Sequence, residues 1–400
     1  MLEKRVLPVL FVTLLLDMVG IGMVLPLVPI LFTDPSSPSF LLHAYPETSW
    51  YFIAGLITAL FGIMQFFAAP ILGELSDIYG RKKLLTLGVG VLAVSQIFFG
   101  FGIEIGSLAL ILVSRVVAGL AGANFSIVQA TIADVSPPEH RARNFGLIGA
   151  AFGLGFIIGP LLGGWIAHAT DNPAAPFWFA GVLGVLNMLS ISFFLHETRT
   201  ETKAAKSFTW FKGIHNIQTA LSDATLRPYY LSLFLYMSGF VFFTSFSGVF
   251  VVKHFNFTPA EVGTYFGIFG FWMVVTQGLV LRFVTKLYSP RQIVMVTMPT
   301  IAAVLVLFPF VPSVTVLYTL LPFIAMPQGL TMANLSALIS TNASGEKQGA
   351  TLGISGSLTA LSQGVMPIIA GALSGVFGIG IPFVVGACAM LCGWSVLRKS

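Results

Sequence analysis

The sequence predicts an all-α membrane protein with twelve transmembrane helices in two pseudo-symmetric six-helix bundles. Three observations carry that prediction. Of the 400 residues, 56% are hydrophobic and only 9% charged, with a mean hydropathy of +0.92; soluble domains carry about 25% charged residues. Apolar runs of about 20 residues, the length that spans a bilayer, recur from end to end. The second half of the chain also echoes the first.

Taken in order, the runs fall near 6–32, 50–72, 83–103, 107–131, 144–168 and 176–195, then 229–252, 260–283, 291–311, 314–334, 348–374 and 379–397. Pro, Gly or charge bounds each one, and short polar turns join most of them. The first run is too long, and has too many successors, for a cleaved signal peptide. The longest hydrophilic stretch, 196–228, divides an amino-terminal bundle (1–195) from a carboxyl-terminal one (229–400). Within it "SFTWFKGIHNIQTALS" (207–222) reads either as an interfacial helix turning Phe208, Phe211, Ile214 and Leu221 to lipid or as a linker with incidental aromatics. The two cysteines, Cys388 and Cys392, stand one helical turn apart in the last run and read as small apolar filler.

Charge sets the expected orientation. Of the 20 Lys and Arg, all but Arg115 and Lys253 fall at the termini or in alternate loops that share one side. By the positive-inside rule both termini and the 196–228 linker are expected in the cytoplasm, with the protein in a plasma or inner membrane. The basic balance thus reports topology: no clustered soluble basic face exists, so nucleic acid is not an expected partner.

The repeat is legible at a fixed shift. "FGLIGAAFGLGFIIGPLLGG" (145–164) moved by 207 falls on "LGISGSLTALSQGVMPIIAG" (352–371), setting Gly146, Gly149, Pro160 and Gly164 on Gly353, Gly356, Pro367 and Gly371. A shift of 209 sets "DIYGRKKLL" on "KLYSPRQIV". Fifth run falls on eleventh and second on eighth, which points to duplication. Six-plus-six parallel repeats are a transporter arrangement with a substrate site near the membrane midplane.

Two charges stand inside runs. Asp17, in "LLLDMVGIGMVLPLVPIL", is the lone charge between Val6 and Phe32; an acid at the centre of a span costs roughly 2.5–3.5 kcal/mol on insertion scales. At about 1.5 Å per residue Asp17 lies about 16 Å deep from one side, and Arg115 about 12 Å deep from the other. The two therefore reach similar depth in a core about 30 Å thick. No other acid lies deep in a run, so by elimination Asp17 is the expected proton carrier. The alternative is a permanent Asp17–Arg115 ion pair that only fixes helix packing.

Three strings carry further signal. "GELSDIYGRKKLL" (73–85) closes the second run, with Gly73 leaving room for another helix and Asp77 four residues before Arg81. "SRVVAGLAGANFS" (114–126) sets Arg115 beside a small-residue face of Gly119, Gly122 and Ala123. "GLGFIIGPLLGG" (153–164) gathers Gly153, Gly155, Gly159, Gly163 and Gly164 around Pro160; such density weakens a helix but permits close, sliding or kinked contacts. Tight static packing is its plainer reading.

The first of these strings resembles the signature loop of the major facilitator superfamily, and the third resembles the motif of that superfamily's antiporters. With "LLDMVGIGMVLPLVP", "IADVSPPEHRARNFGLIGAAFGLGFIIGPLLGG" and "HETR" they stand in the order seen in tetracycline–proton antiporters and their drug-efflux relatives. The similarity is dense over the amino half and loose over the carboxyl half. It implies alternating access and export of an amphipathic small molecule against proton entry. It also implies that Gly73, Asp77, Gly80, Arg81 and Asp134 belong to a cytoplasmic gate whose charges latch the outward-facing state, and that Gly155, Gly159, Pro160, Gly163 and Gly164 form the antiporter motif.

Departures bear on the substrate. Tetracycline exporters carry further membrane acids in the third and ninth spans, where this chain reads Ser95–Gln96 and Pro299–Thr300. An eighth-span histidine of that group is here Trp272, and Lys286 stands where repeat symmetry expects an acid. These positions do not by themselves support tetracycline as the cargo, while general membership of the group, multidrug or tetracycline-like efflux, stands. Uncharged polar residues within spans (Gln65, Asn124, Gln129, Gln277, Asn334 and Gln363) either line a cavity with Trp272 or bond to neighbouring helices.

The expected function is proton-coupled export of a lipophilic or amphipathic small molecule by a monomer in the bilayer, driven by a proton gradient and needing no cofactor or metal. Metabolite uptake or facilitated diffusion on the same fold is the alternative, and a receptor or scaffold the non-transport one. An enzyme is not expected, because no loop holds a clustered nucleophile, acid and base.

Overall fold

The computed structural model describes residues 2–122, 124–198, 212–343 and 348–399, and every regular element among them is helical. Twelve helical spans are long and apolar enough to cross a membrane. The fold is all-α, as the apolar runs require: in hydrocarbon only a helix or a closed barrel satisfies every backbone group.

The first span is broken into α1 (Leu2–Gly22) and α2 (Leu27–Thr33), and the fourth into α5 (Leu108–Ala121) and α6 (Asn124–Val135). Between them lie α3 (Glu47–Tyr79) and α4 (Arg81–Glu104). The run α7 (Pro138–Thr170) and α8 (Ala175–Phe194) completes the first six spans. A short α9 (Lys212–Ser222) precedes α10 (Arg227–Phe255) and α11 (Pro259–Val275). A π-helical turn, Thr276–Val280, joins α11 to α12 (Leu281–Leu287) within the eighth span. The remaining spans are α13 (Pro290–Leu307), α14 (Val314–Asn342), α15 (Gln348–Phe377) and α16 (Ile381–Lys399).

Both breaks have a local cause. Pro26 offers no N–H and disfavours helix at the residue before it, so the chain turns through Met23–Pro26 on three- and four-residue hydrogen bonds such as Val24 N to Ile21 O. At the second break Gly122 N bonds back to Gly119 O, and the Gln65 side chain donates to the Gly122 carbonyl at 2.8 Å. A side chain from another span thus satisfies a backbone group that the break releases.

The second span also differs from the sequence expectation. It does not end near 72: α3 has 33 residues and runs through "GELSDIY" to Tyr79. At about 1.5 Å per residue that is about 50 Å, far beyond a core of about 30 Å. The motif therefore rides on helix, and the turn itself is Gly80. In the linker, α9 covers the second part of 207–222, with Ile214 and Leu221 exposed and Asn216 Nδ2 donating to Ser357 Oγ at 3.0 Å. Phe208 and Phe211 lie outside the described residues.

By contact density the chain forms two units. One comprises Met1–Leu27, Ile63–Lys212 and Thr258–Gly267; the other Val28–Gly62, Gly213–Phe257 and Ile268–Ser400. The core of the first is aliphatic, with Leu10, Leu14, Leu85, Val89, Val128 and Ile191 among its buried residues. The second has a buried aromatic knot in which Phe243, Phe250, Phe308 and Phe383 meet at centroid separations of 4.8–6.4 Å.

Helix pairing repeats with the sequence. In the first unit α1 packs on α7 and α4 on α8; in the second α10 packs on α15 and α13 on α16. The repeat reaches individual glycines. In the first unit Gly263 of α11 has no room for a β-carbon against the Pro160 carbonyl, and Gly164 none against Pro259. In the second, Gly55 of α3 is closed by Pro367, and Gly371 by Tyr51. Residues matched by the shift near 207 make matched contacts. These contacts draw the first part of α3 into one unit and the first part of α11 into the other.

Candidate functional site

Asp17 lies on α1 and is 8% exposed. Its carboxylate accepts one side-chain hydrogen bond, from Asn124 Nδ2 to Oδ2 at 3.1 Å. Asn124 is the first described residue of α6. Asn124 Oδ1 fills the space that a side chain at Gly88 would take, and it has no hydrogen-bond partner.

Arg115, 6% exposed on α5, turns elsewhere. One terminal nitrogen donates to Gln96 Oε1 at 3.0 Å, and its guanidinium carbon stands 4.3 Å from the Phe99 ring centroid. Phe99 is stacked in turn on Phe177 at 4.2 Å. An arginine over an aromatic face gains about 0.5–2 kcal/mol, more when desolvated. Arg115 Nε is buried without a partner. Among the described residues the ion pairs are those of Arg81, so Asp17 and Arg115 are not paired in this conformation. Two buried opposite charges of similar depth are each held by a neutral amide.

A second constellation sits at the α3–α4 turn and gathers the expected gate charges. Arg81 bonds Asp77 across the Gly80 turn, and donates through Nε to Asp134 Oδ2 at 3.0 Å. It also donates to Ser76 Oγ. Glu197, just beyond α8, accepts from Arg81 N at 3.0 Å and Lys82 N at 3.1 Å, so it caps the amino end of α4. Gly80 permits this: its φ is +97°, and a β-carbon there would collide with the Glu197 carboxylate. The sequence quotes Glu197 within "HETR", an acid just past an apolar run, but spacing alone does not say which helix it caps. A β-carbon at Gly73 would meet nothing within 4 Å among the described residues.

The antiporter motif packs in two directions. Gly155, Gly159 and Gly163 face α1, against Met18, Val19 and Met23 respectively, while Pro160 and Gly164 face the first turns of α11. Gly22 faces Gly159 and Pro160 from α1. The motif thus fixes the helix that carries Asp17.

The other polar candidates divide. Gln65 bonds the Gly122 carbonyl, and Gln129 is half-buried on α6. In the second unit Trp272 and Gln277 flank Thr276 at the π-helical turn; such turns are frequent at functional sites. Asn334 is buried but donates to Leu330 O within its own helix, and Gln363 is exposed. Among the buried groups that the sequence did not single out are Tyr236, whose hydroxyl donates to Gln328 O at 2.9 Å, and Gln328, whose Oε1 is unpartnered. Near them Thr331 donates to Thr297 at 2.7 Å.

Twelve spans with buried charge between them define a multi-pass membrane protein of transporter type. The chain belongs to the Major Facilitator Superfamily, whose family profile matches residues 10–326 and, separately, 229–399. It is 28% identical to the class C tetracycline resistance protein of Escherichia coli, over all of this chain and 98% of that one. It is 28% identical to major facilitator superfamily domain-containing protein 10 of Bos taurus, over 99% and 93% of the two chains. Against the quinolone resistance protein NorA of Staphylococcus aureus the figures are 26%, 91% and 89%. Among solved structures, the human organic anion transporter MFSD10 superposes with a TM-score of 0.76 at 24% identity over 99% of both chains. A D-xylose–proton symporter gives 0.79 at 12% over 99% and 97%. At these identities the superpositions show a shared fold.

Proposed function

We propose that the protein exports a lipophilic or amphipathic small molecule in exchange for protons, by alternating access. The observation that carries this reading is Asp17, a deeply buried acid held by an amide and paired with no cation. A buried ion without a partner is costly, so a carboxyl that gains and loses a proton as helices move couples protonation to conformation. Relatives named for tetracycline and quinolone resistance support an efflux direction. The paired contacts of α7 on α11 and of α15 on α3 supply glycine-lined surfaces of the kind that rocking repeats slide on.

In this reading both termini and the 196–228 linker are cytoplasmic in a plasma or inner membrane, and the Arg81 constellation acts as a latch. The driving force is the proton gradient, without a cofactor, and the working unit is a monomer. Reconstitution in proteoliposomes with an imposed pH gradient, run over a panel of lipophilic compounds, tests it. Gradient-driven accumulation that Asp17→Asn abolishes is expected; accumulation undiminished in a well-folded Asp17→Asn protein would overturn it.

A second reading is facilitated transport of an organic anion. It is favoured by Arg115, a buried guanidinium with a free Nε and no carboxylate, and by likeness to an organic anion transporter. Anion flux that ignores the pH gradient and disappears in Arg115→Gln would select it.

A further inference from the structure

Beside the Arg81 constellation, the surface of the first unit carries a groove that none of these roles uses. It runs between α4 and α8, encloses about 770 Å³, and is lined by Lys82, Lys83, Leu87, Gly90, Val94 and Met188 among others. We propose that it binds an anionic glycerophospholipid, with the phosphate at Lys82 and Lys83 and an acyl chain laid along α4 toward Val94.

The charge stands at one end. Among the described residues neither Lys82 nor Lys83 takes part in an ion pair, so both ammonium groups are available. One acid also lines the groove, Glu197. Its two oxygens are already turned to the backbone N–H groups of Arg81, Lys82 and Thr198, which leaves the lysines to set the sign.

Everything beyond that end is apolar or small. Leu87 and Val94 are 61% and 46% exposed along one face of α4. Gly90 between them has no side chain, and Met188 Sδ comes up against it to form the floor. From Lys82 to Val94 the helix rises about 18 Å at about 1.5 Å per residue. Half of a hydrocarbon core about 30 Å thick is about 15 Å. The groove is thus one leaflet deep. A soluble phosphate would use the lysines and leave the apolar floor bare; an uncharged hydrophobe would do the reverse. A lipid with a negative headgroup uses both, as basic pockets at helix ends do elsewhere.

The test is native mass spectrometry of the purified full chain with phosphatidylglycerol, phosphatidylethanolamine and phosphatidylcholine of matched acyl chains. Phosphatidylglycerol is expected to be retained several-fold better than either zwitterionic lipid. The double substitution Lys82→Gln/Lys83→Gln should lower its retention roughly tenfold or more, on the scale of the attraction each basic residue has for anionic lipid. Val94→Trp keeps both lysines, fills the tail end, and should also lower retention. Equal retention of the three lipids, phosphatidylglycerol binding undiminished in the double variant, or phosphatidylethanolamine bound best through Glu197 would each overturn the proposal. So would competition by glycerol phosphate as strong as by the lipid, which would assign the site to a soluble anion.

Discussion

Asn124 donates to Asp17 across 107 positions of chain, and this bond joins the two broken spans of the first unit. A hydrogen bond to a charged group contributes about 1.5–3 kcal/mol. Asn124→Ala should therefore lower thermal stability and weaken proton coupling together, whereas Asp17→Asn should fold and still bind substrate while losing gradient-driven accumulation. Scanning fluorimetry and proteoliposome flux measure the two effects. If Asp17→Asn misfolds and is rescued by also neutralising Arg115, the pair is structural in another conformation and the carrier role fails.

Arg115 offers a separate test, because its terminal N–H is accepted by a neutral glutamine, Gln96. Gln96→Glu would place a carboxylate within about 3 Å of the guanidinium and is expected to raise the melting temperature. Gln96→Leu removes a buried acceptor from a cation and should lower stability by about 1–3 kcal/mol. A rise with leucine and a fall with glutamate would mean that Arg115 is held by Phe99 alone.

At the α3–α4 turn, Asp77→Asn leaves Arg81 with Asp134 as its one carboxylate among the described residues, beside Ser76. Conformational states of such proteins differ by a few kcal/mol, and one charge-assisted bond is of that order. Labelling of a cysteine at position 353, where the glycine now meets nothing within 4 Å, is expected to increase in Asp77→Asn. Unchanged labelling would reduce the constellation to a topology signal. Glu197→Ala should separately cost about 1 kcal/mol by uncapping α4.

The matched glycines give a prediction of opposite sign at the two ends of α15. Gly371→Val drives a branched side chain into the Tyr51 backbone, and Gly164→Val does the same at Pro259. Each should abolish most transport, and Gly371→Val should raise labelling of a cysteine at position 48, which packs against Gly375 one turn further along α15. Gly353→Ala has open space and should change stability by no more than about 1 kcal/mol, in the stabilising direction expected for a helix interior.

Orientation is tested by single cysteines at position 36, which is exposed in the loop after α2, and at position 210, in a background lacking Cys388 and Cys392. A membrane-impermeant reagent added to intact cells should label position 36 and not 210. The reverse pattern would invert the topology read from the basic loops.

The sequence by itself determined the twelve spans and the repeat, and the resemblance of its motifs to the superfamily implied the grouping of Asp77, Arg81 and Asp134. The spans are a property of depth, since a bilayer demands about 20 apolar residues per helix; Asp77 and Arg81 meet across the Gly80 turn between two helices, and Asp134 reaches Arg81 from another span. Pro26 sets the break at Met23–Pro26 locally, but the Gln65 bond to the Gly122 carbonyl, the cap by Glu197 and the partners of the buried charges were decided by tertiary structure. Asp17 and Arg115 share a depth, which the count of residues gives, but not a neighbour, which depends on how each helix is rotated about its axis. That rotation is set by packing: Gly155, Gly159 and Gly163 seat α7 on α1, and Gly88 admits Asn124. A glycine is visible in sequence, yet the helix that fills its empty side is chosen only when the spans assemble.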